Sequence, residues 1–221
     1  MSQIFKPSIN TIARISLLSG ILIAGLGLTM IVLRNWAPLV YVGGNAGIAV
    51  EQPIRFSHSL HSGQLNIECV YCHISAEQGA YGGIPDTHTC MSCHSGIATY
   101  SELLEPVRTS YATGEPVEWL KVHDLADWVY FNHSVHVQNG FACETCHGRV
   151  DQMPQVWQAE NMLMSWCLEC HREPERFIRP ISERYTFGYE EPDNQIELGL
   201  QLIEEYHVDN EGLTNCSICH R

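Results

Sequence analysis

The chain has 221 residues, with 25 acidic against 12 basic side chains and a formal charge of -13. That balance excludes a groove for nucleic acid, which needs a basic face. The length suits one ordinary domain plus an attachment segment, and the scarcity of apolar runs beyond the N-terminal part leaves room for a non-protein interior.

In chain order, the first predicted element is the run ISLLSGILIAGLGLTMIVL, 19 uncharged residues from Ile15 to Leu33, bounded by Arg14 and Arg34. As a helix it spans about 28 Å, the thickness of a bilayer's hydrocarbon core. A cleaved signal peptide is the first alternative, but its apolar part is usually about 7–15 residues long, and only Asn45 to Ala49 offers a weak cleavage site. A buried core helix is the second. Lys6 and Arg14 precede the span and no acidic residue occurs before Glu51, which favours a cytoplasmic N-terminus and places the remainder outside the membrane, although Arg34 weakens the bias. Gly20, Ala24, Gly25 and Gly27 give the helix small surfaces for a second membrane helix, yet glycine is common in such helices anyway. The reading is a cytoplasmic tail (1–14), a transmembrane anchor (15–34), a linker (35–55) and one domain (56–221). Pro38, Gly43, Gly44, Gly47 and Pro53 mark the linker, which is expected to lie against neighbouring subunits.

All ten cysteines of the domain fall into five C-x-x-C-H units: Cys69, Cys72 and His73; Cys90, Cys93 and His94; Cys143, Cys146 and His147; Cys167, Cys170 and His171; Cys216, Cys219 and His220. Such a unit attaches c-type haem, because the two thiols add to the vinyl groups and the adjacent histidine becomes the proximal iron ligand. Zinc knuckles do not require a histidine after every second cysteine. A disulfide framework leaves the five histidines unexplained, and thioredoxin-like chemistry needs one motif on an α/β fold. The sequence therefore predicts five covalent haems, which add roughly 3 kDa of mostly apolar ring and about ten propionates. The expected fold is mostly irregular with short α-helices, packed around these groups and joined to one N-terminal transmembrane helix.

Seven further histidines compete for the opposite iron faces: His58, His61, His88, His123, His133, His136 and His207. Two segments repeat Phe-x-His-x-x-His, from Phe56 to His61 and from Phe131 to His136, and each precedes two motifs, giving a duplicated two-haem cassette (56–94 and 131–171). Histidines three apart share a helical face while their rings diverge. His58 and His133 are therefore expected to serve the motif that follows, and His61 and His136 another haem. His123, with Asp124 and Asp127 nearby to orient it, is the expected fifth distal ligand. His207 and His88 rank lower, His88 because it lies two positions before Cys90. Met153, Met162 and Met164 compete as thioether ligands that raise a potential, but unbranched methionine more often fills gaps. Trp119, Trp128, Trp157 and Trp166 read as haem-edge packing. Val117 to Tyr130 and Asn194 to Tyr206 are compatible with helices.

The paired cassettes over 56–171 resemble multihaem cytochromes of the c7 and c3 type. Together with the membrane helix, the runs KVHDLADWVYFNHSVH, MSWCLECHR and LTNCSICHR resemble the pentahaem cytochrome c subunit of bacterial alternative complex III. That resemblance implies distal ligation by His58, His61, His123, His133 and His136. It also implies iron–sulfur and quinone-binding partner subunits, and a monohaem cytochrome c or similar acceptor. The function expected is serial one-electron transfer within a membrane quinol-oxidising complex, with the haem domain on the periplasmic side of the bacterial cytoplasmic membrane and no catalysis by this chain alone. The alternatives are a stand-alone membrane-tethered quinol dehydrogenase feeding a periplasmic reductase, a multihaem enzyme reducing a small substrate, and a structural haem protein. The first needs a quinol pocket where the chain meets lipid, and the second an open iron with proton donors.

Overall fold

The computed structural model describes residues 7–41 and 46–220. Parts of the expected tail (1–14, including Lys6) and linker (35–55) lie outside the described residues. Helix α1, Pro7–Tyr41, opens on a proline at a position where the missing N–H costs nothing. It runs past the expected 15–34 anchor at both ends, because arginine is a good helix former and a charge that stops a membrane span does not stop a helix. Its segment Ser8–Asn35 is long and apolar enough to cross a membrane and is exposed throughout among the described residues. Two of its polar side chains bond within the helix: Thr29 Oγ1 donates to Gly25 O at 2.9 Å and Asn35 Nδ2 to Ile31 O at 2.7 Å. A span in lipid requires that.

The remainder holds short helices and no strand among the described residues. These are α2 (Cys69–Cys72), α3 (Thr87–His94), α4 (Glu105–Thr113), α5 (His133–Gln138), α6 (Cys143–His147), α7 (Met164–Arg172), α8 (Gln195–Glu205) and α9 (Cys216–Cys219). A π-turn covers Ser59–Gln64. The helix-compatible run ending at Tyr206 becomes α8, whereas Val117 to Tyr130 forms no helix. Tertiary bonds compete with helix propensity there: Gln52 donates to Leu120 O at 2.8 Å and accepts from Leu120 N at 2.9 Å. The described end of the linker is tied to its own chain, since Gly47 N donates to Gln158 O at 2.8 Å and Gln155 Nε2 to Val50 O at 2.5 Å.

Side chains alone make a small core. Ile178, Leu202 and Ile203 form its one cluster of buried residues among the described ones, flanked by Phe141, Leu198, Tyr206 and Val208. They pack α8 on the turn Pro174–Arg176. Gly199 permits this, because a Cβ there would overlap the carbonyl oxygen of Glu175. Elsewhere the cysteine motifs are only half-covered, and none of the ten cysteines forms a disulfide.

Candidate haem sites

Each ligand turn is built by one residue between the phenylalanine and the first histidine. In the second repeat Asn132 caps α5, its Oδ1 accepting from Ser134 N at 3.0 Å, while its carbonyl accepts from His136 Nδ1 at 2.8 Å. In the first repeat Ser57 does both, its Oγ accepting from Leu60 N at 3.2 Å and its carbonyl from His61 Nδ1 at 2.8 Å. Serine and asparagine suit this position because their short side chains satisfy N–H groups that a helix start leaves unpaired. The phenylalanine then orients both rings. Phe56 meets His58 edge-on at 4.8 Å and stacks on His61 at 4.4 Å; Phe131 meets His133 at 4.8 Å and His136 at 4.5 Å in the same manner.

Four of the seven extra histidines face a motif histidine across a gap. The ring centres are 6.4 Å apart for His58 and His73, 6.1 Å for His61 and His94, 6.3 Å for His133 and His147, and 6.1 Å for His136 and His171. A ring nitrogen lies about 1.1 Å from its ring centre and metal–nitrogen bonds are about 2.0–2.1 Å, so an ion held between two opposed imidazoles sets their centres about 6.2–6.4 Å apart. The four gaps lie within about 0.1 Å of that range. The planes are nearly parallel for His58 with His73 (11°) and His133 with His147 (12°), and inclined by 65° and 33° in the other two pairs.

Hydrogen bonding fixes which nitrogen each ring offers. Nδ1 donates to a backbone carbonyl at His73 (Gly83 O, 2.7 Å), His94 (Ile97 O, 3.0 Å), His133 (Ala80 O, 2.8 Å), His171 (Leu213 O, 2.9 Å) and His220 (Trp128 O, 3.0 Å). A carbonyl only accepts, so Nδ1 carries the proton and Nε2 keeps its lone pair for a metal. Burial also keeps imidazoles neutral: it lowers His58 to about 4 and His147 to about 3, and it pushes His136 and His123 down as well. His58 departs from the pattern, since its buried Nδ1 has no hydrogen-bond partner. Among the described residues no three His, Cys, Asp or Glu side chains converge on a metal-holding group, whereas structural zinc is closed by four ligands.

His123 lies beside a motif histidine. Its Nε2 lies 3.3 Å from His147 Nδ1 and the two ring centres are 4.4 Å apart, too close for an iron between those rings. Asp124, expected to orient it, pairs with Lys121 at 3.1 Å. His88 is exposed with its ring against Tyr111 at 4.8 Å, and His207 is exposed in a left-handed turn at φ 54°. Met153 is 2% exposed and its carbonyl accepts from Ser59 N at 3.0 Å, which docks the first ligand turn on the second cassette. Met164 is exposed at the start of α7, and Met162 is half-buried with φ 53°. The carbonyl acceptors escape sequence reading because any residue supplies one. Ser57 and Asn132 do have a signal, a capping residue type at the same place in both repeats.

Comparison with known proteins points to the same class of cofactor. Residues 129–221 match the family described as cytochrome c7 and related cytochrome c. That part of the chain is similar to c7-type multihaem cytochromes. The chain is also 38% identical over 98 residues, 44% of its length, to the menaquinone reductase multihaem cytochrome c subunit of Nitratidesulfovibrio vulgaris (strain Hildenborough). The shared region spans 46% of that protein.

Proposed function

We propose that this chain is the electron-transfer subunit of a membrane quinol-linked oxidoreductase of the alternative complex III type, carrying five c haems on the periplasmic side. The observation that carries the reading is the set of four facing imidazole pairs at 6.1–6.4 Å, each built on a C-x-x-C-H histidine. A c haem, when bound, supplies reversible one-electron exchange at its iron. In each motif the two cysteines, three apart on a short helix, put their thiols on one face to hold the ring edge. His73, His94, His147, His171 and His220 would each hold the iron beside their own motif, and His58, His61, His133 and His136 would supply a second imidazole in four of the sites. His123 accepts from His147 Nδ1–H and orients that ring. With two imidazoles available at four of its five sites, the chain would transfer electrons and leave quinone chemistry to partner subunits, among them quinone-binding and iron–sulfur proteins, with a monohaem cytochrome c as soluble acceptor. The single helix α1 holds the domain at the membrane.

The relative named menaquinone reductase favours a second reading with the opposite direction, in which the subunit delivers electrons toward quinone. Purifying the gently solubilised complex and assaying quinol oxidation and quinone reduction, with and without the copurifying subunits, separates the two. The first reading expects quinol oxidation by the complex and none by the isolated chain. Full turnover by the isolated chain overturns it.

A further inference from the structure

Counted along the chain, the attachment motifs begin at Cys69, Cys90, Cys143, Cys167 and Cys216, but their succession in space is different. The first and second meet through one ligand turn, on which His58 faces His73 and His61 faces His94. Tyr71, inside the first motif, also shares a hydrogen bond of 3.0 Å with Ser92, inside the second. The third and fourth meet in the same way, through His133 facing His147 and His136 facing His171. What joins these pairs is the loop at 80–83: Gly83 O holds the first motif's His73 at 2.7 Å, and Ala80 O holds the third site's His133 at 2.8 Å. The Cys69 and Cys143 thiols lie against each other at this junction.

The fifth motif joins at the far side. Leu213 O, three residues before Cys216, accepts from the fourth motif's His171 at 2.9 Å. Cys219 O accepts from Tyr130 N at 2.8 Å, beside the Phe131 turn that serves the third and fourth sites.

We propose that the axial sites form a single file in the order second, first, third, fourth, fifth, so that electrons are exchanged with partners at the second and fifth sites. Cys93 and Cys216, the two exposed cysteines, belong to those end motifs, while the other eight are partly covered. This rests on reading the five motifs as haem attachment sites. It excludes the sequential order, in which the second motif would adjoin the third.

The test is to locate the irons in the holo-protein by anomalous scattering at the iron edge. The file predicts that the second iron's nearest neighbour is the first, the fifth iron's nearest neighbour is the fourth, and the first and third are adjacent. A second iron nearest the third, or a fifth nearest the first or second, overturns the order even with five irons present. Fewer than five irons overturns the attachment reading beneath it.

Discussion

At the scale of single residues, the ligand turn depends on Ser57 and Asn132, each of which caps a helical start with its side chain and orients a histidine with its carbonyl. Replacing Asn132 by alanine removes the cap but not the carbonyl, so it should cost about 1 kcal/mol of stability and leave the axial spectrum of the protein unchanged; a change of ligation would show that the side chain itself sets the ring.

At the scale of elements, the close approaches at glycine carry the packing of one cassette on the other. The π-turn Ser59–Gln64 sits on the turn Val150–Gln152, and a Cβ at Gly63 would overlap the carbonyl of Asp151. Alanine improves helical propensity by up to about 1 kcal/mol, but displacing a backbone carbonyl costs about 1–3 kcal/mol, so Gly63→Ala should lower the unfolding temperature by a few degrees. An unchanged or higher temperature would mean that the two turns separate freely. This scale also shows what the sequence makes legible. The repeated Phe-x-His-x-x-His is visible as a pattern, and the structure gives both copies the same ring geometry to within 0.1 Å in the distances from phenylalanine to histidine. Helix α8 is readable because an amphipathic run long enough for three turns follows local rules. The irregular path of 117–130 is not, because it is set by bonds to Gln52, 68 residues away. The contact of His123 with His147 is hidden for the same reason, since it is tertiary and 24 residues apart in the chain.

At the scale of the whole molecule, eight buried hydrophobic residues among those described, from Ile54 to Ile203, are too few to order a domain of this size. The bound groups must supply the rest of the interior, as the half-covered cysteines and the imidazole gaps both indicate. Expression without cytochrome c maturation should therefore yield a chain that is cleaved rapidly by protease, while the matured protein resists and exceeds the polypeptide mass by about 3 kDa. A protease-resistant chain lacking that added mass would show that side chains alone suffice.

The account turns on the four facing imidazole pairs, and axial ligation is read most directly by near-infrared magnetic circular dichroism of the oxidised, full-length protein. Four of the five haems should give the charge-transfer band of low-spin iron with two imidazole ligands. Methionine-ligated or high-spin iron at two or more of the five would contradict it.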